Sequence, residues 1–285
     1  MTSPVPRVKE PHLAGRAYPA AREALARAVD ALLAVAGEPR PGTRAVLVPH
    51  GPFAQAGPVV AAGIAAAARP RRRVVIVAPS HFADFAGAVV LPMEGYRTPL
   101  GTVPLDGDAV AALVRPPHVR ANPAAFMREP GVEAVLPFLQ GAGVSAPIVP
   151  LLVGRLAAGE AAALAGALRP LLDDDVLLVV SSDLVHYGRR FDFVPVPPEP
   201  PAAVVAALRA LDEATLAHVV AGDPDAFAAH VAAAAPTVCG RHAIEVALRA
   251  LPPGTRGERL AWGTSLEPGG DAAQVVSWAA VRFGA

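Results

Sequence analysis

The sequence predicts an α/β fold, a single domain over residues 1–285 with a mostly parallel central sheet flanked by helices. Three observations lead there. Three apolar runs lack polar alternation: Arg44-Ala-Val-Leu-Val-Pro-His50, Arg73-Val-Val-Ile-Val-Ala-Pro-Ser-His81 and Val176-Leu-Leu-Val-Val-Ser-Ser-Asp-Leu-Val-His186. Such runs fit parallel strands covered on both faces. Helical patterns separate the strand patterns, as in βαβ units. Each run also ends at a histidine, and open parallel sheets bind ligands outside the carboxyl ends of their strands.

Taken in order, a helix follows Pro19, because Leu25, Val29, Leu32 and Leu33 recur on one face, and Gly37 and Pro39 end it. The first histidine-ended strand comes next, then an alanine-rich helix from Pro58 to Ala68. The second such strand starts at Arg73, and Gly87 to Leu91 is another. Asp106 caps a short helix through Val114, Arg115 to Pro130 is irregular, and Val132 to Gln140 forms a helical turn. Ile148 to Val153 is a strand and Ala157 to Leu172 a helix, before the third motif strand at Val176. Pro195 to Pro201 is a stiff extended loop, either a lid or an inert surface segment. Helices cover Ala202 to Val220, Pro224 to Ala235 and Arg241 to Leu251, the second with Asp223 as cap and Pro224 at its first position. Strands near Arg259 to Trp262 and Gln274 to Phe283 complete the pattern.

Lysine plus arginine and aspartate plus glutamate both number 25, so the net charge is zero, which argues against a nucleic-acid partner. The basic run Arg71-Arg72-Arg73 precedes a strand and reads as a solvated sheet edge. Lys9 is the sole lysine. With Cys239 as the only cysteine, no intramolecular disulfide can form, as suits a reducing cytosol. Residues Met1 to His12 lack an apolar signal core, and no apolar stretch reaches membrane-spanning length. The expectation is a soluble cytoplasmic protein with no membrane partner.

Imidazoles are common metal ligands and general bases, so three at one sheet edge point to chemistry. His50 and His81 each follow a strand. Either alone is more often a structural hydrogen-bonder; together they have the form of a metal-binding pair. Asp183 and His186 lie three apart, and a helical turn there would put both on one face, the carboxylate orienting the imidazole. The alternative makes Asp183 a helix cap. Cys239 precedes a helix, where a thiolate is favoured, yet an isolated cysteine is commonly a small buried hydrophobe.

The ordered set of motifs resembles the MEMO family, also called AmmeMemoRadiSam system protein B. The matching segments are Ala14-Gly-Arg-Ala-Tyr-Pro19, Val48-Pro-His50, Pro79-Ser-His81, Thr98-Pro-Leu-Gly101, Leu136-Pro-Phe-Leu139 and Val149-Pro-Leu-Leu-Val-Gly154. Ser181-Ser-Asp-Leu-Val-His-Tyr187 and Cys239-Gly-Arg241 complete them, so the resemblance spans nearly the whole chain. It implies a fold similar to class III (LigB-type) extradiol dioxygenases, which bind non-haem iron(II) through two histidines and a carboxylate. Carried over by motif, His50, His81 and Cys239 are the metal ligands. Asp183 and His186 line the same pocket as catalytic residues, His186 placed like the dioxygenase acid/base.

Two departures stand out. The family's Pro-His-Ala-Gly-Tyr reads here as Pro49-His-Gly-Pro-Phe53, so the aromatic has lost its hydroxyl. Its Glu-His-Ser-Leu-Glu reads as Glu129-Pro-Gly-Val-Glu133, so Pro130 replaces a pocket histidine and can neither ligate nor transfer a proton. The resemblance implies a metal-dependent redox enzyme with iron(II), or copper or zinc, acting on a small catechol-like ligand. The competing readings are a metal-binding protein without turnover, acting through a partner, and a scaffold for a peptide or small ligand.

Overall fold

The computed structural model describes residues 7–115, 118–234, 237–266 and 272–284. Four parallel strands make the centre, in the spatial order Thr43–Val48, Val176–Ser181, Arg73–Pro79, Ile148–Val153. Alternate residues of each strand enter different apolar layers. Ala45, Leu47, Val75 and Val77 face one side; Val46, Val48, Val74 and Ile76 face the other. Both faces are therefore buried, which is why the sequence shows unbroken Val/Ile/Leu runs.

Helices Arg22–Leu33 and Phe53–Ala66, with the short Leu136–Gly141, cover one face. Glu160–Leu168, Pro224–Ala234 and Arg241–Ala250 cover the other. The expected face of the first helix is present, with Leu25 and Val29 fully buried. Asp106 caps Gly107–Leu113 by accepting the Ala109 N–H, and Asp223 accepts the Ala226 N–H at the start of Pro224–Ala234. Ala235, the expected end of that helix, lies outside the described residues.

At its margins the sheet changes direction. Gln274–Gly284 runs antiparallel to Thr43–Val48, and both Arg256–Thr264 and His186–Gly188 pair antiparallel with it. On the other side Ala88–Val90 is antiparallel to Ile148–Val153 and parallel to Val119–Ala121. A separate three-stranded sheet joins Val8–Lys9 to the hairpin Gly95–Thr98 and Gly101–Pro104. The Thr98-Pro-Leu-Gly101 motif is the turn of that hairpin, closed by the Thr98 hydroxyl accepting the Leu100 N–H at 3.1 Å.

Several expectations change. The second long helix begins at Phe53, not Pro58, so Pro58 lies inside it and one helical hydrogen bond is missing. Nine buried residues of this helix, Val60 and Ile64 among them, hold it together across that gap. The segment expected to be irregular carries the strand Val119–Ala121 and the turn Pro123–Phe126, and Pro116 and Pro117 within it fall outside the described residues. Pairing with Ala88–Val90, remote in sequence, supplies what local pattern did not show. The proline-rich segment leads into the helix Pro201–Ala221, and the Tyr187 hydroxyl donates to the Val196 carbonyl at 2.8 Å, tying the loop down.

Register places the site. Val48 aligns with Ser181 and Val77 with Val180, so three neighbouring strands end level. His50, His81 and Asp183 follow directly from those ends. No helix among the described residues is long and apolar enough to cross a membrane.

Candidate metal centre

Ring nitrogens of His50 and His81 and the sulfur of Cys239 all lie within 4.8 Å of one another. A carboxylate oxygen of Asp183, a ring nitrogen of His186 and the same sulfur form a second such group, so Cys239 is common to both. Cys239 reaches this point from the far side of the sheet, just ahead of Arg241–Ala250. Its sulfur is 3.5 Å from His50 Nε2 and accepts the Asp183 N–H at 3.3 Å. It faces the imidazoles rather than the packed core.

Each histidine is held by its Nδ1, which leaves Nε2 for the centre. His50 Nδ1 is 2.9 Å from the Ser181 hydroxyl. His81 Nδ1 is 2.7 Å from the Glu129 carboxylate, whose other oxygen accepts the His81 N–H at 2.7 Å. His186 Nδ1 lies 2.8 Å from the Thr237 carbonyl and 3.0 Å from that of Leu184. Thr237 also closes a two-way clamp, its hydroxyl accepting the His186 N–H and donating to the His186 carbonyl. Metal-binding histidines are typically oriented through the nitrogen that does not ligate.

Asp183 does not orient His186. No helical turn forms from Ser182 to Val185, and His186 pairs with Val276 as a strand. Asp183 therefore neither caps a helix nor shares a helical face with His186. Its carboxylate accepts the His50 N–H at 2.9 Å instead, with its other oxygen 3.9 Å from His50 Nε2. The cause is long-range: Val185 N–H is claimed by the Ser277 hydroxyl at 3.0 Å, and the strand Gln274–Gly284 takes the segment that local pattern offered to a turn.

Glu129 is the functional residue that sequence reasoning passed over. It is fully buried, and the turn Pro130–Glu133 that it caps lies across the strand end that carries His81. A Cβ on Gly131 would come within 2.7 Å of Ala78 Cβ, so only glycine lets this turn approach so closely. The available signal was the first glutamate of the Glu129–Glu133 motif. Pro130, in the family's histidine position, opens this turn at its first helical position. Phe53 stacks on Phe138, with ring centroids 5.1 Å apart, so the aromatic without a hydroxyl has an apolar partner.

Electrostatics favour a thiolate among protonated imidazoles in the metal-free protein. Burial opposes ionisation of Cys239, but the charge of His50 and hydrogen bonds from His50 and His81 prevail and bring it down to about 6. Burial likewise opposes the charged form of His81, but hydrogen bonds to Cys239 and Glu129 outweigh it and push the ring up to about 10. His50 also rises, against its burial, because Asp183 and Cys239 attract its charge.

The donor set fits a transition metal: imidazole suits iron, copper and zinc alike, and a single thiolate adds a soft ligand. Glu129→Gln keeps the shape of the side chain but weakens the acceptor that holds His81. The expected result is a ~10–100-fold loss of metal affinity with the fold retained. Competition titration checks it, and wild-type affinity would deny Glu129 this orienting role.

The profile of the family described as Memo-like protein matches residues 9–282. A MEMO1 family protein of Aquifex aeolicus (strain VF5) is 30% identical over 183 residues, covering 64% of this chain and 68% of that protein. A MEMO1 family protein of Methanopyrus kandleri is 28% identical over 293 residues, covering 96% and 98%. Protein MEMO1 of Danio rerio is 28% identical over 251 residues, covering 85% and 84%. Among solved structures, an uncharacterized protein of Escherichia coli K12 superposes with a TM-score of 0.54 at 18% identity, over 85% of this chain and all of that one; this likeness is one of fold. A profile match running from the buried Lys9 to Arg282 in the last strand shows that the chain belongs to the Memo-like protein family.

Proposed function

We propose that this protein is a metal-dependent oxidoreductase that acts on a small aromatic ligand. In this reading His50, His81 and Cys239 hold a non-haem iron(II) ion, with copper or zinc as the alternatives. The observation that carries it is the convergence of three donor atoms within 4.8 Å, with both imidazoles turned inward by Ser181 and Glu129. Bound iron would supply redox chemistry toward oxygen and a catechol-like diol. The protein's own work is to hold these groups still and to move protons.

His186 carries the proton-transfer role. Its Nδ1 is occupied by two backbone carbonyls, so Nε2 is the nitrogen able to exchange a proton with a ligand. The ring of Phe191 packs edge-on against it, centroids 5.0 Å apart, and limits its rotation. Asp183 fixes the backbone of His50 and places a carboxylate beside the sulfur. A second reading, metal binding without turnover, is favoured by Pro130, which puts a residue unable to move protons where the family carries a histidine.

The test is metal analysis of anaerobically purified protein, followed by oxygen uptake with a panel of catechols. Stoichiometric iron with substrate-dependent uptake supports the enzyme, and bound metal without uptake supports the second reading. Absence of metal after reconstitution overturns both. His186→Gln is expected to keep its metal and lose turnover by about 10²–10⁴-fold. Loss of metal in that variant would make His186 a ligand instead.

A further inference from the structure

We infer that the cavity on the outer side of Cys239 is a subsite for a small organic monoanion, a single-ring carboxylate in size, whose acid group pairs with Arg241. This names a ligand class for the centre described above, and it rests on the metal reading only for what the ligand meets at the sulfur. The cavity measures about 200 Å³ and is walled by Pro79, Ser80, Phe85, Val153, Cys239 and Arg241, among others. A cavity of ~150 Å³ admits benzene, so one substituted ring fits and a fused system does not.

Charge decides what kind of molecule enters. Arg155 and Asp84 both line the cavity and form an ion pair with each other, so they cancel. His242 is held toward its neutral form by burial and by neighbouring Arg241, against a weaker pull from Glu245. That leaves the Arg241 guanidinium, which forms no side-chain hydrogen bond or ion pair among the described residues. Other arginines of this structure are neutralised by acidic partners, as in the pairs Arg73–Asp106 and Arg282–Glu258, and among the cations that line this cavity only Arg155 is. An unpaired guanidinium presents a planar fork of donors that matches a carboxylate. The apolar walls Phe85 and Val153 suit the ring, and Cys239 forms the wall shared with the metal centre. A ligand so bound has its acid group at Arg241 and its body toward the sulfur.

The experiment is calorimetric titration of metal-free protein with benzoate, benzamide and inorganic phosphate, with metal stoichiometry measured separately on the same preparations. Benzoate is expected to bind, and benzamide, of the same shape but uncharged, at least about tenfold more weakly. Arg241→Gln should lose benzoate affinity at least about tenfold while keeping wild-type metal stoichiometry, and Arg241→Lys should recover part of it. Equal affinity for benzoate and benzamide, no benzoate binding, or a wild-type response in Arg241→Gln would overturn the inference. Phosphate binding tighter than benzoate would overturn the assignment to a carboxylate. Protein that binds benzoate but never holds metal would sink the metal reading and leave this one standing.

Discussion

His50→Ala, His81→Ala and Cys239→Ser are each expected to abolish stoichiometric metal binding while leaving the fold intact. All three sit beyond strand ends or ahead of a helix, so their loss removes a donor atom and little of the core. The effect should exceed the ~10–100-fold loss expected for a residue that only orients a ligand, such as Glu129. Cys239→Ser should weaken copper(I) more than a hard ion, because a thiolate is replaced by a poorly ionised hydroxyl. Metal analysis with circular dichroism checks all three, and unchanged metal content in both histidine variants would sink the assignment.

Wild-type affinity should also depend on pH with a definite sign. A metal ion needs neutral imidazole and thiolate, so binding displaces whatever protons the free site carries. His81 titrates at about 10 and His50 is raised, while Cys239 is already ionised above about 6. Affinity should therefore climb as pH rises, roughly tenfold per unit for each imidazole proton displaced, and level off once both imidazoles have titrated. Below pH 6 the thiol takes up its own proton and the slope steepens. A flat profile between pH 7 and 9 would show that the site is already proton-free and that the imidazoles are not paired with the thiolate.

Glu133→Gln should be among the most destabilising single changes in the chain. Glu133 and Lys9 form an ion pair at 2.6 Å with both side chains fully buried. The same carboxylate accepts the Tyr18 hydroxyl at 2.8 Å and the N–H groups of His12 and Leu13 at 2.9 and 2.6 Å. One buried anion thus anchors the whole segment from Lys9 to Tyr18, which carries the sole lysine of the sequence. Removing it strands a buried ammonium, a loss of ~3–5 kcal/mol. Burial already lowers the Lys9 pKa, and Glu133 is what opposes that fall. The double variant Lys9→Met, Glu133→Gln should recover much of the loss, since no charge is then left uncompensated. Chemical denaturation of the three proteins measures this. A single variant within about 1 kcal/mol of wild type would mean that the pair does not anchor the segment.

Features with local causes were legible in the order of amino acids alone. Continuous apolar runs marked the central strands, because a strand covered on both faces has no polar positions to show. Asp106 and Asp223 marked helix starts, because a cap acts within three residues. The motif order identified the family, and with it the set His50, His81, Cys239, Asp183 and His186, all of which the structure brings to one sheet edge. Tertiary structure decided the pairings. Asp183 went to His50 and His186 to Thr237, because Ser277 and Val276, about ninety residues away along the chain, took the backbone of the segment between them. Glu129 took its place behind His81 only once its turn had packed over the strand end, and Lys9 found Glu133 across 124 residues. A buried polar group must find a partner, and its residue type states that need. Which group answers is settled only by the packing that brings distant segments together.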